Sequence, residues 1–167
     1  MSCSFTVALS AWLLASAGCS QSEEELRRMI QDEIARSQTR SIIDPVETVG
    51  PYSPAVRVGG FLFVSGQIGI SQETGNLVDT GIEGETRQAL ENLVTVLRAA
   101  GYDSSHVVSA TVYLRSIEDY ALMNQIYGGY FGEDNYPARS TVAVKALPRG
   151  ASVEIAAVAF RAGAGTH

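Results

Sequence analysis

Arg139-Ser140-Thr141-Val142-Ala143-Val144-Lys145, then Leu147-Pro148-Arg149-Gly150, then Ser152-Val153-Glu154-Ile155-Ala156-Ala157-Val158-Ala159-Phe160 is the stretch on which the fold turns. Both long runs alternate with the period of two that marks a strand, and the Pro-Arg-Gly segment between them reads as a turn. Strands are expected at about 139–147 and 152–160. In the first, Val142 and Val144 point one way while Arg139, Thr141, Ala143 and Lys145 point the other. In the second, Val153, Ile155, Ala157 and Ala159 oppose Ser152, Glu154, Ala156, Val158 and Phe160. One face suits a layer of helices. The other mixes charge with Val158 and Phe160, which fits a sheet buried against another subunit with a polar pocket in the seam. An oligomer is expected. If the strands pair with Ala143 opposite Glu154, Arg139 lies four residues along, roughly 13 Å by backbone rise. A substrate with a long Arg side chain spans that gap, or a second subunit closes it.

Upstream, Val56-Arg57-Val58 and Phe61-Leu62-Phe63-Val64 flank Gly59-Gly60, the pattern of a tight hairpin. Residues 83–100 set Leu90, Leu93, Val94 and Leu97 on one helical stripe, with Gly101 at the C-terminal cap. Val107 to Leu114 is a strand rich in Val, Thr and Tyr. Ser116 with Asp119 opens a second helix that carries Tyr120, Met123, Asn124 and Tyr127 and ends at Gly128-Gly129. The order ββαβαββ gives an α+β fold, a sheet with two helices on one face. A chain of 167 residues, 46% hydrophobic and 18% charged, can bury one good core. That domain is expected at 42–162, with a short tail at 163–167.

In front of it, residues 5–18 form an uncharged run of the length of a signal-peptide core, too short to span a bilayer. The run ends in small residues before Cys19, which resembles the lipobox of bacterial lipoproteins, although Ser16 stands where Leu is usual and no Lys or Arg precedes the run. A signal peptide over 1–19 is the expectation, with the protein periplasmic or anchored to the cell envelope through a lipidated Cys19. The rival is a cytoplasmic protein with a misplaced start. Residues 20–41 turn polar and charged. Ser22 with Glu25 is a capping-box pattern and Leu26, Met29, Ile30 and Ile34 form a narrow stripe, so a solvated tether helix is expected.

The formal charge of −6 leaves no basic face to neutralise phosphates, so nucleic acid is not an expected partner. Cys3 and Cys19 are the only cysteines, and His106 and His167 have no ligand at metal-binding spacing; no metal or cofactor is expected. There is no GxGxxG after a strand and no GxxxxGK[ST], and Val64-Ser65-Gly66-Gln67 is not a nucleophile elbow.

What remains is a scattered polar set: Gly50-Pro51-Tyr52-Ser53-Pro54-Ala55, Phe63-Val64-Ser65-Gly66-Gln67-Ile68, Asn124-Gln125-Ile126-Tyr127, Tyr136-Pro137-Ala138-Arg139-Ser140 and Val153-Glu154-Ile155. In order and spacing these strings resemble the landmarks of the RidA (YjgF) family, over about Ile42 to Arg161. The resemblance implies a chorismate-mutase-like fold and a homotrimer. It also implies clefts between subunits where 2-aminoacrylate and related 2-imino acids are hydrolysed to 2-oxo acids and ammonia. It assigns Arg139 to the substrate carboxylate and Glu154 to the attacking water, with Tyr52, Ser65, Gly66 and Asn124 lining the pocket. Thr141 stands where the family often has Cys, at a substrate contact made through backbone.

The residue types suit that chemistry on their own terms. A small enamine or imino acid offers its carboxylate as the firm handle, and a guanidinium grips it with two parallel charge-assisted hydrogen bonds. One carboxyl group in a partly dry cleft can act as base and then as acid while water adds and ammonia leaves. Plainer roles stand beside these: Arg139 as an interface ion-pair residue, Glu154 paired with Lys145, Tyr52 as packing, Ser65-Gly66 as a strand-ending turn, Asn124 as a polar helix contact. The alternative to an enzyme is a non-catalytic, ligand-binding or regulatory trimer using the same cleft. Ribonuclease activity, also ascribed to members of that family, is disfavoured by the acidic charge.

Overall fold

The computed structural model describes residues 22–35, 39–45, 50–132 and 134–162. The leader, Cys19 and the 163–167 tail lie outside them. Residues 22–35 are helical (α1), with Leu26, Met29, Ile30 and Ile34 all half exposed or more. They fall in one unit, and Arg40–Ala164 forms another. No helix among the described residues is long and apolar enough to cross a membrane.

The second unit is a six-stranded sheet with two helices. Its strands are β1 (Ser41–Ile43), β2 (Ala55–Val58), β3 (Phe61–Ile68), β4 (Val107–Leu114), β5 (Ala138–Ala143) and β6 (Val153–Phe160). The helices are α2 (Gly81–Ala99) and α3 (Tyr120–Phe131). Strand order is β1-β2-β3-β6-β4-β5, antiparallel except for the parallel pair β4 and β5. The expected ββαβαββ order holds, preceded by β1, whose three residues are too few to show a period.

The hairpin of β2 and β3 turns at Gly59, whose φ of 58° is the left-handed conformation that glycine adopts without penalty. Beside it, a Cβ on Gly60 would come within 2.6 Å of the Arg161 carbonyl. Along α2, Ala89, Leu90, Leu93, Val96 and Leu97 are fully buried against Val153, Ile155, Ala157 and Ala159 of β6 and their neighbours. Each buried Leu contributes about 1.5–3 kcal/mol relative to exposure. The chain leaves α2 through Gly101 at φ 80°, as its spacing predicts. Ser116 Oγ accepts from the Glu118 N–H to start the 3-10 turn that runs into α3. That helix passes through Gly128-Gly129, where its end was expected, and stops at Gly132, φ 74°. Met123, Ile126, Tyr127 and Phe131 bury its inner face, and that packing outweighs the helix cost of two glycines, about 1 kcal/mol each.

The expected final hairpin does not exist. Strand β4 lies between β5 and β6, with Glu154 opposite Tyr113 and Tyr113 opposite Val142. Ala143 pairs with Leu114, not Glu154, and the Pro148–Gly150 turn carries the chain past β4 to the far side. Residues paired across neighbouring strands share a face. Arg139 and Thr141 pair with the buried Ala110 and Val112, so their side chains are on the helix face with Ile155 and Ala157. Glu154 is on the opposite, open face. There Phe61, Phe63, Val142 and Phe160 are 41–49% exposed, and the rings of Phe61 and Phe160 lie 4.8 Å apart.

Candidate active site

Glu154 sits at the inner end of β6, where β3 is irregular: its register with β6 shifts between Val64 and Gln67, and Ser65-Gly66 fall in the bulge. Bulges re-aim side chains, and this one clears a place for a carboxylate. A Cβ on Gly66 would overlap Oε1 of Glu154 and come within 2.6 Å of its Cδ. Ser65 works outward from the same bulge. Its Oγ donates to the Ser53 carbonyl at 2.7 Å and its N–H to the Pro54 carbonyl at 2.9 Å, which pins the loop bearing Tyr52 against the strand. Tyr52, Ser65, Gly66 and Glu154 all line a cleft of about 840 Å³. Burial in this cleft raises the Glu154 carboxyl above its usual range.

The strand end that holds Glu154 is itself fastened. Glu85, buried in the first turns of α2, accepts the Ser152 N–H at 2.7 Å and the Ser152 hydroxyl at 2.8 Å. Arg115 donates to Ser152 Oγ at 3.0 Å and to the Gly150 carbonyl at 2.8 Å. The approach to β6 is thus held from both sides.

Arg139 belongs to a different cluster. Its Nη2 donates to Asn124 Oδ1 at 2.5 Å and to the Tyr120 hydroxyl at 3.3 Å, both on α3. Its Cζ stands 4.4 Å from the centroid of the Tyr127 ring and 5.9 Å from that of Tyr120, both within cation–π range. Burial pushes the Tyr127 phenol up to about 12, against a smaller downward pull from Arg139. The Tyr127 hydroxyl and Thr141 Oγ1 are buried with no hydrogen-bond partner among the described residues. Nη1 and Nε of Arg139 have no acceptor among the described residues.

The seven residues expected to form one site therefore fall into two sets within the chain. Tyr52, Ser65, Gly66 and Glu154 gather at the open-face cleft; Asn124, Arg139 and Thr141 gather on the helix face at the β5 edge. Two strand spacings of about 4.8 Å and three residues of rise separate the backbones of Arg139 and Glu154 by roughly 14 Å, and their side chains leave opposite faces. Among the described residues no ion pair joins Glu154 to Lys145. Tyr120 and Tyr127 went unassigned in the sequence, although with Asn124 they follow the i, i+4, i+7 spacing of one helix face. Glu85 and Ser152 carried no signal, being 67 residues apart. No group of three or more His, Cys, Asp or Glu side chains among the described residues is arranged to hold a metal ion.

Fold and geometry together define a small α+β protein with a guanidinium clamp on one face of its sheet and a carboxylate cleft on the other. The profile of the family described as Endoribonuclease L-PSP matches residues 42–161. The chain belongs to this family, the one that contains the Rid and RutC proteins. It is 47% identical over 113 residues to a RutC family protein of Pyrococcus horikoshii, covering 68% of this chain and 89% of that one. It is 46% identical over 113 residues to the human 2-iminobutanoate/2-iminopropanoate deaminase, covering 68% and 82%. Among solved structures, the Rid family protein YyfA of Yersinia pestis superposes with a TM-score of 0.70 at 42% identity, over 74% of this chain and all of that one. E. coli TdcF with bound serine gives 0.68 at 32% identity, over 73% and 99%.

Proposed function

We propose that the protein hydrolyses small 2-imino and enamine acids of the 2-aminoacrylate type to 2-oxo acids and ammonia, in clefts between the subunits of a homotrimer. The observation that carries this reading is the division of the polar residues between opposite faces of one sheet, each half incomplete. A chain cannot bring its own Arg139 to its own Glu154, but a neighbour docked on the open face can. Contact between two different faces is heterologous, the kind that forms a ring when its rotation closes, and the exposed phenylalanines supply apolar area for it. Relatives named as imine deaminases and a relative holding serine, an amino acid of similar size, support a small carboxylate ligand.

In this reading Arg139 of one subunit holds the substrate carboxylate, with Asn124 and Tyr127 fixing the guanidinium beforehand. Glu154 of the next takes a proton from water as the oxygen adds to the imine carbon. It returns that proton to nitrogen to give the carbinolamine, then takes the remaining hydroxyl proton as the carbonyl forms and delivers it to nitrogen as the C–N bond breaks. The balance is one imino acid and one water to one 2-oxo acid and one ammonia. Export behind the leader belongs to the same proposal.

The test is release of pyruvate from 2-aminoacrylate generated in situ. The protein is expected to accelerate it over buffer, and Arg139→Ala to lower kcat/KM by about 100-fold, the loss of a pair of charge-assisted hydrogen bonds, with the assembly intact. No acceleration by intact wild-type assembly would reject the enzyme in favour of a ligand-binding trimer.

A further inference from the structure

The cleft holding Glu154 has a volume of about 840 Å³ in the single chain, before the neighbour that the proposed ring docks on this face takes part of it. Of the side chains lining it, Glu154 is the one anion and Arg149 the one cation. Arg149 is held there at a conformational cost. With φ 58° and ψ 13° it is the single non-glycine residue with positive φ among the described residues, in a turn where Gly150 also has φ 76°. L-residues with a Cβ avoid this conformation, and where they keep it the surroundings or the function over-determine it. Its Nη2 reaches the Gly75 carbonyl at 3.2 Å, so the side chain spans from the Pro148–Gly150 turn to the loop after β3 along the wall of the cleft.

That carbonyl is the only hydrogen-bond partner of Arg149 among the described residues, and no ion pair there joins it to Glu154. A neighbouring cation would lower the Glu154 carboxyl, whereas burial is the cause that moves it and the direction is upward. No ion pair among the described residues neutralises the guanidinium. Arg149 is an exposed residue on the lining of the cleft, with donors that no acceptor among the described residues takes, and it stands apart from Arg139.

We infer that Arg149 is a second anion-binding point, which takes the distal carboxylate of a 2-imino dicarboxylic acid and so extends the substrate range to acids derived from acidic amino acids. This rests on the deaminase reading for turnover, but not for binding. The reaction is unchanged: water adds at the imine carbon, ammonia leaves, and the distal carboxylate takes no part.

Arg149→Asn tests it, because Asn tolerates the left-handed backbone while removing the charge. On the full-length chain, kcat/KM is measured for 2-iminobutanoate and for a 2-imino dicarboxylate made in situ by an amino-acid oxidase. Binding of the stable products 2-oxobutanoate and 2-oxoglutarate is followed by calorimetry. Expected is a fall of about tenfold in the dicarboxylate-to-monocarboxylate ratio of kcat/KM, carried mainly by KM, with partial rescue by Arg149→Lys. The binding ratio should fall in parallel. Equal effects on both ligands, or none, overturn the inference. Absence of turnover alone counts against the deaminase reading, and the binding ratio still decides this one.

Discussion

At the scale of single residues, the cleft depends on a carboxyl group whose proton is held more tightly in the folded chain than in the unfolded one. Burial raises the Glu154 value above 4.5. The native state then binds the extra proton between 4.5 and the raised value, so by linkage this group's contribution to stability is greatest at low pH and declines as pH rises through that window. In its proposed role as general base the group runs the other way, since it serves only once the proton has gone. The kcat/KM profile over about pH 4 to 9 is therefore expected to show an acid limb displaced above 4.5, which Glu154→Gln abolishes while lowering the rate about 10²–10⁴-fold. An identical limb in the variant would show that another group sets it. Gly66 makes this carboxyl position available, because any side chain there meets Glu154.

At the scale of elements, the tie between α2 and the start of β6 is a pair of buried hydrogen bonds in which Glu85 accepts from the N–H and the hydroxyl of Ser152. Glu85→Ala leaves a buried N–H and hydroxyl without that acceptor, a loss of about 1.5–3 kcal/mol measurable by urea unfolding. An unchanged midpoint would mean that water substitutes for it. Strands and helices of the domain were legible because their signals are local: the Gly59-Gly60 turn, the Leu90, Leu93, Leu97 stripe, the alternation of Val153 to Ala159. Strand partnership was not. Alternation in β5 and β6 says which residues share a face within a strand, but not that β4 enters between them, so Arg139 was read onto the face of Glu154 when it belongs with Ala110. The glycines at 128 and 129 misled for a related reason, since α3 is held by what Met123 and Phe131 bury rather than by propensity. The residue types gathered at each half-cleft were visible in the sequence; which half each joined was a property of topology.

At the scale of the whole molecule, the proposed ring makes a prediction no single-chain site can match. A subunit carrying Arg139→Ala retains Glu154, and one carrying Glu154→Gln retains Arg139. Separately each assembly is expected to keep about 1% of wild-type activity or less. Unfolded together and reassembled in equal amounts, they should regain about a quarter of wild-type activity, because a quarter of the clefts then join two intact halves. No recovery, with mixed assemblies demonstrated by mass spectrometry, would place both residues in a cleft of one chain or in none. The same division has a genetic consequence. A copy defective in both residues spoils the two clefts it borders, so co-expressed with an equal dose of normal chain it leaves about a quarter of the clefts working rather than half. A defective chain that still assembles would thus interfere with the normal one, whereas an allele that makes no chain would not.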